Sequence, residues 1–374
     1  MITMRIVVTG ADGFIGRNLV LRLQELGHGN DLVRITRETE SGDLAKLIAG
    51  ADFIYHLAGI NRPKHESEFA TGNLEFTRTL CDAVSKQARP VPIAYTSSTQ
   101  ADRDNPYGNS KRQAEDVLRS YGHEAGAKVH IFRLPNVFGK WARPNYNSAV
   151  ATFCYNIARG LPITINDPNA PLSLVYIDDV ISAFVGLLKD NSVVESTPEV
   201  APVYKTTVGE VADYIRSFES GRHSLITQRV GTGLLRALHA TYLSYLDPSG
   251  FSYVVPVHSD DRGEFVEMLK TEDSGQLSYF TAHPGITRGE HYHHTKTEKF
   301  LVIRGTARFG FRHVDTGETF EVETKGGDAT IVETVPGWAH NVTNVGDDEL
   351  VCMLWANEIF DRANPDTIAY KVKS

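Results

Sequence analysis

Cysteine is scarce in this chain: three residues in 374, Cys81, Cys154 and Cys352, with no C-x-x-C spacing among them. That excludes a disulfide framework and a zinc ribbon and fits buried thiols in a reducing compartment. No apolar run approaches the roughly 20 residues that span a bilayer, and the N-terminus carries no apolar signal region, so no membrane partner and a cytoplasmic location are expected. An excess of positive charge is missing as well. With 38 Lys and Arg against 46 Asp and Glu, the formal net charge of -8 argues against nucleic acid as a partner while allowing a local basic pocket. Internal repeats and low-complexity tracts are also absent.

The composition that remains, 41% hydrophobic and 22% charged, is that of an ordinary soluble globular protein. A length of 374 residues suits one large and one smaller domain. In the first half, Ile6 to Thr9, Leu32 to Thr36, Phe53 to Leu57, Ile93 to Ser97 and Val129 to Leu134 read as apolar strands separated by helical patterns, which predicts a doubly wound parallel α/β sheet of Rossmann type. The stretch around Leu234 to Tyr245 reads as helical and ends in the turn signal Asp247, Pro248, Ser249, Gly250, so the expected domains are 1–246 and 247–374. Beyond that point short alternating runs such as FVEML, SYFTA, KFLVIRG and ELVCMLWA predict an all-β jelly roll.

Within that β region lies GITRGEHYHHTKTEKFLVIRG. His291 and His293 are one residue apart, which on a strand puts both imidazoles on one face, and Glu298 is expected to join them from the neighbouring strand. With His340 downstream they make three imidazoles and a carboxylate, a set suited to a divalent transition metal, with zinc the expected ion. The run G-x5-H-x-H-x4-E-x6-G, from Gly285 to Gly305, resembles the first motif of the cupin family, and Gly337, His340 and Asn344 resemble its looser second motif.

At the other end, the strand MRIVVT leads into GADGFIG, where Gly10, Gly13 and Gly16 open a helix that begins with Phe14 and Ile15. Glycines there let the backbone approach a pyrophosphate at a helix N-terminus. HLAG at His56 to Gly59, TSS at Thr96 to Ser98, and Tyr107 with Lys111 in YGNSK follow. Together these resemble the extended short-chain dehydrogenase/reductase family over about two-thirds of the chain. The resemblance implies cofactor contacts at Gly10, Gly13, Phe14, Ile15, Gly16, Leu57 and Ala58. Tyr107 and Lys111 lie one helical turn apart, so the ammonium is expected to lower the phenol's pKa and to bond the nicotinamide ribose, while the phenol hands a proton to a carbonyl oxygen as hydride arrives. Ser98, with Thr99 as runner-up, is expected to polarise the same carbonyl. Thr36 stands in the position that is acidic in NAD-preferring relatives and Arg37 follows it, which favours NADPH. Arg133 and Asn136 in FRLPNVFG are candidates for the sugar nucleotide, although Arg133 also reads as an internal arginine paired with an acid.

Domain order, length and both motif sets resemble the CapF-type bifunctional enzymes of UDP-N-acetyl-L-fucosamine synthesis, and RGEHYH resembles a run of the dTDP-4-keto-sugar epimerases. The resemblance implies a UDP-2-acetamido-2,6-dideoxy-4-hexulose substrate, epimerised at C3 by the cupin and reduced at C4 by the other domain to UDP-2-acetamido-2,6-dideoxy-L-talose. A C3 proton is removable only while C4 is a ketone, so epimerisation comes first. His283, Tyr292, His294 and Lys299 are all candidates for the proton-transfer group, and His291 has competing claims as ligand and as base. A metal-clamped binding and homodimerisation module is the alternative role for the cupin.

Overall fold

The computed structural model describes residues 4–189 and 195–373. Two compact units divide the chain, Met1–Ile215 with Ala237–Leu246, and Arg216–Arg236 with Asp247–Ser374.

The first unit is built on β1 (Ile6–Thr9), β2 (Leu32–Ile35), β3 (Phe53–His56), β4 (Ile93–Ser98), β5 (Val129–Leu134) and the short β8 (Glu195–Ser196), all parallel in the order β2-β1-β3-β4-β5-β8. β1 and β3 are buried at every position because helices cover both sheet faces, which is why their sequences run apolar without alternation. Ile54, Ile93, Ile131, Leu80 and Leu118 meet in one of the resulting cores. A small second sheet follows, β6 (Asn136–Phe138), β7 (Pro171–Tyr176) and β9 (Tyr204–Thr207), with β7 in the middle. The LVYIDDV stretch spans the end of β7 and the start of the helix Ile177–Gly186. The strand order turns about between β1 and β3, and in open α/β sheets the crevice at the carboxyl ends of such a pair receives ligands.

The second unit is all β. Its larger sheet runs β10 (Val257–Asp260), β11 (Gly263–Thr271), β12 (Gly275–Ala282), β19 (Leu350–Ala356), β14 (Glu298–Arg304), β17 (Ile331–Glu333). The smaller runs β16 (Thr319–Lys325), β15 (Thr306–His313), β18 (Trp338–Asn344), β13 (Thr287–Tyr292), β20 (Ile368–Ala369). Phe280, Phe300 and Cys352 from the first sheet and Phe309, Phe311 and Val342 from the second form one core, so the sheets pack face to face. Cutting a buried ring such as Phe309 back to alanine costs about 3–5 kcal/mol at sites of this kind. At Gly305, the turn between β14 and β15, φ is +84° and a Cβ would stand 3.0 Å from the Leu350 Cα, so the glycine that ends the first metal motif serves chain reversal.

Candidate active and metal sites

The glycine turn lies at the end of β1. Gly10 has φ +67°, and a Cβ there would meet the Ala58 backbone nitrogen at 2.8 Å; at Gly16 it would meet the Gly10 carbonyl oxygen at 2.2 Å. Only glycine fits both positions, which brings the turn against the HLAG segment. Thr9 ties the two together, since its hydroxyl accepts the Ala58 N–H at 3.2 Å and lies 2.8 Å from His56 Nδ1. The Thr77 hydroxyl spends its proton on the Asn73 carbonyl, so His56 Nε2 donates to Thr77 and Nδ1 accepts from Thr9. Burial, helped by the charge of Lys111, pushes His56 down to about 3 and keeps it neutral. The histidine of HLAG is thereby a tautomer-fixed strut.

Tyr107 and Lys111 lie on the helix Pro106–Ala125, which starts where Asn105 accepts the Gly108 N–H at 2.8 Å and proline occupies the first turn. Burial raises the pKa of the Tyr107 phenol, and the neighbouring Ser98 hydroxyl opposes that only in part. The expected depression of the phenol by Lys111 is therefore corrected: Lys111 instead donates to the Thr96 carbonyl at 2.9 Å, with its Nζ 4.8 Å from the centre of the Tyr95 ring. Burial brings the Lys111 ammonium down to about 8, opposed by Glu115 one turn on. Among the described residues only the Thr96 carbonyl accepts from it, which leaves two N–H donors of a buried ammonium for a bound group. Asn73, on the π-helical turn Ala70–Glu75, bonds both backbone groups of Ile60 and the Ser110 hydroxyl and so closes the same corner. The tight glycine cradle and the underused ammonium both fit a dinucleotide lying across β1 and β3.

At the end of β2, the Thr36 hydroxyl accepts the Glu38 N–H at 3.2 Å within its own turn, while Arg37 is exposed. Thr99 is exposed at the start of a short 3-10 turn. Arg133 fits its reading as an internal arginine paired with an acid: its guanidinium grips the buried Glu115 carboxylate at 2.6–3.2 Å and Asp102 at 2.5 Å. Glu115 also takes the Ser97 hydroxyl at 2.5 Å, so the pair ties the catalytic helix to β4 and β5. Asn136 is exposed on β6.

In the second unit His291, His293, Glu298 and His340 converge, with one ligand atom of each within 4.8 Å of the others. Glu298 arrives by a route other than expected. β14 pairs with β19 and β17 in the larger sheet, whereas His291 and His340 face each other across β13 and β18 in the smaller one, so the cluster bridges the two sheets. Nε2 of His293 and Nε2 of His340 each stand 3.3 Å from the same Glu298 oxygen. Donors about 2.1 Å from a tetrahedral ion are spaced about 3.4 Å apart, so the set fits zinc. Burial, with the neighbouring His340 and His293, brings His291 down to about 4, the neutral form that ligates. Burial opposes the charge on Glu298, yet the imidazoles of His293 and His340 that face it and the charge of Lys296, 3.0 Å away, hold its carboxyl far below the usual range.

Of the four proton-transfer candidates, His283 and His294 are exposed, Lys299 is exposed and paired with Glu333, and Tyr292 is half-buried with its ring edge-on to His294 and Tyr370. Asn344 is structural, bonding the Ala282 and Asp348 carbonyls at 2.9 and 2.8 Å.

Residues 6–200 match the NAD dependent epimerase/dehydratase family and residues 258–368 the polysaccharide biosynthesis C-terminal domain. Over 369 residues, 99% of each chain, the sequence is 58% identical to a UDP-2-acetamido-2,6-beta-L-arabino-hexul-4-ose reductase of Pseudomonas aeruginosa. The crystal structure of the capsular polysaccharide assembling protein CapF from Staphylococcus aureus matches at a TM-score of 0.90 and 42% identity, over 99% of this chain and 100% of that one. The chain belongs to the CapF family. Its first unit also shares the fold of a Thermus thermophilus UDP-glucose 4-epimerase, at 18% identity and a TM-score of 0.55 over 67% of this chain and 100% of that one.

Two functional residues of this CapF-family chain escape a reading of its sequence. Asp366 takes the backbone N–H groups of His294, Thr295 and Lys296 at 2.7–2.9 Å, and Lys296 is buried against Glu298. Neither belongs to a motif. Asp366 acts from some 70 residues away, a distance no local periodicity spans. Lys296 had a signal in its alternation with Glu298, one residue apart on an inward-facing edge.

Proposed function

We propose that this chain is a bifunctional nucleotide-sugar enzyme, with an NADPH-dependent 4-keto reductase over 1–246 and a zinc-bearing cupin epimerase over 247–374. The observation that carries the reading is the half-buried Ser98 at the end of β4, close enough to influence the Tyr107 phenol, together with the buried Lys111 on the same helix as Tyr107 and bonded to the Thr96 carbonyl of that strand. These are a carbonyl polariser, a proton donor and a cation at the carboxyl end of one strand of a dinucleotide fold. The full-length relative supports UDP-2-acetamido-2,6-dideoxy-4-hexulose as substrate.

Reduced nicotinamide, when bound, supplies the hydride for C4. Tyr107 passes its phenolic proton to the C4 oxygen as that carbon is reduced, and Ser98 hydrogen-bonds the same oxygen. The raised pKa of Tyr107 keeps it protonated and ready to donate. Lys111 would turn its spare N–H donors to ribose hydroxyls and so position the nicotinamide end of the dinucleotide. Arg37, exposed beside Thr36 with no acid in the Thr36 position, favours the 2'-phosphate of NADPH.

In the second domain His291, His293, Glu298 and His340 hold the metal, which supplies Lewis acidity next to the ketone or clamps the barrel. Epimerisation at C3 precedes reduction, because the carbanion at C3 delocalises only onto a C4 carbonyl. We place the enzyme in the cytoplasm as a homodimer, where its product feeds capsule or O-antigen assembly. The test is incubation with NADPH and UDP-2-acetamido-2,6-dideoxy-4-hexulose, followed by determination of the C3 and C4 configurations. Inversion at C3 together with a C4 alcohol supports the proposal. A C4 alcohol with C3 retained supports a reductase whose cupin only binds and dimerises.

A further inference from the structure

After β6 the chain enters a strained, pinned loop. Trp141 and Asn145 have φ of +71° and +54°, a region that a tryptophan rarely adopts. The loop is held in place: Tyr245 donates to the Ala142 carbonyl at 2.5 Å, Thr152 accepts the Asn145 N–H at 2.9 Å, and Asn18 reaches the Lys140 carbonyl at 3.3 Å. It carries two aromatic rings, each flanked by two cations. Arg17 and Lys140 stand 5.2 and 5.7 Å from the centre of Trp141, and Arg62 and Arg143 stand 5.9 and 5.1 Å from that of Tyr146. Lys140 is neutralised by Asp178 at 2.6 Å. Among the described residues no carboxylate pairs with Arg17, Arg62 or Arg143.

Three unneutralised guanidiniums held against two rings of one short loop, on a chain of net charge -8, make a local basic surface suited to an anion. Their parent segments place that anion. Arg17 sits in the first turns of the helix that follows the glycine turn, Arg62 follows β3, and Lys140 and Arg143 follow β6. β1 and β3 present their carboxyl ends at the ligand crevice of the sheet. A guanidinium held over a ring face keeps its N–H edges available to donate.

We infer that Arg17, Arg62 and Arg143, set by Trp141 and Tyr146, grip the diphosphate of the nucleotide-sugar substrate. The inference rests on the nucleotide-sugar reading above and adds the residues that hold the nucleotide end. The dinucleotide's own pyrophosphate is served by the backbone at Gly10–Gly16, which leaves the arginines for the second diphosphate.

UDP and NADP+ are titrated separately by calorimetry into the full-length protein and into Arg62→Gln/Arg143→Gln, with a melting curve for each. UDP affinity is expected to fall by roughly tenfold or more per guanidinium removed, to depend less on salt, and to recover in part in Arg62→Lys/Arg143→Lys, while NADP+ binding stays within about twofold. Wild-type protein that binds UDP alongside a folded double variant that binds it equally well overturns this inference alone. Loss of NADP+ affinity equal to that of UDP assigns the arginines to the cofactor and overturns it too. Wild-type protein that ignores UDP overturns both the inference and the nucleotide-sugar reading beneath it.

Discussion

The backbone carbonyl of Asp366 accepts a hydrogen bond from Nδ1 of His293. This fixes the tautomer of the neutral imidazole, because a carbonyl only accepts and the proton must therefore sit on Nδ1, leaving the Nε2 lone pair available to the proposed ion. The same residue's carboxylate takes three successive backbone N–H groups and the Thr295 hydroxyl, which hold its pKa well below the usual range despite some opposing burial. One side chain from the C-terminal stretch thus sets the loop between two metal ligands.

Replacing Asp366 with alanine keeps the carbonyl that meets His293 but releases the loop its carboxylate ties. This is expected to loosen that carbonyl's hold on the imidazole and to weaken zinc retention by up to about tenfold, the low end of what losing an orienting group costs. A chelator competition checks it, and Asp366→Asn, which keeps one accepting oxygen, should lie between. Retention equal to wild type in a variant that melts normally removes Asp366 from the metal site.

Tyr107→Phe should lower NADPH oxidation by about a hundredfold or more while the substrate's C3 proton still exchanges with solvent. Near-normal hydride transfer by this variant, followed at the NADPH absorbance, would mean that another group donates the proton.

NADPH should be preferred over NADH, and Arg37→Ala should weaken NADPH alone, by roughly ten- to a hundredfold for one guanidinium–phosphate contact. Equal affinity of the wild-type protein for both dinucleotides contradicts the assignment.

Lys111 acts as a cation, and burial brings it down to about 8, so reductase turnover should decline as pH rises through that value. Glu115, which pulls the other way, should on mutation to glutamine move this alkaline limb to lower pH; the His56 ring and the Tyr95 face also stand near the ammonium. Stability runs in the opposite sense. Between about 8 and its ordinary 10.5 the folded lysine holds fewer protons than the unfolded one, so its contribution to stability rises with pH across that window. A pH–rate profile with no alkaline limb, or one unmoved by Glu115→Gln, contradicts the role.

The parallel sheet was legible in the sequence because its strands are buried on both faces and read as plain apolar runs, as in IVVT and FIYH. Three members of the His/Glu cluster, His291, His293 and Glu298, were legible because their spacing is local, and His340 through a looser motif downstream. What escaped lies in contacts between distant segments. Glu298 follows His293 closely in sequence yet belongs to the opposite sheet, since sheet membership is decided by pairing with β19 and not by adjacency. That Arg133 pairs with an acid was one of its two readings, but the partner, Glu115, comes from a meeting of strand and helix that spacing does not encode. The phenol–lysine spacing was read correctly as one helical turn, whereas the side chain's actual partner, the Thr96 carbonyl, comes from β4.

The metal itself should be found at about one zinc per chain in the purified protein. His340→Ala should empty the site and lower the melting temperature, because ligation and folding are coupled. The first unit should keep its NADPH binding. A full complement of zinc in that variant places the ion elsewhere.

The claim that the two domains run consecutive reactions is tested most directly by turning over the 4-keto sugar with NADPH in D2O, using the wild-type protein and a His291→Ala variant shown by melting to be folded, and reading deuterium at C3 of the product by NMR. The account predicts one solvent deuterium at an inverted C3 from the wild type and none from the variant. A wild-type product carrying its original C3 hydrogen would contradict it.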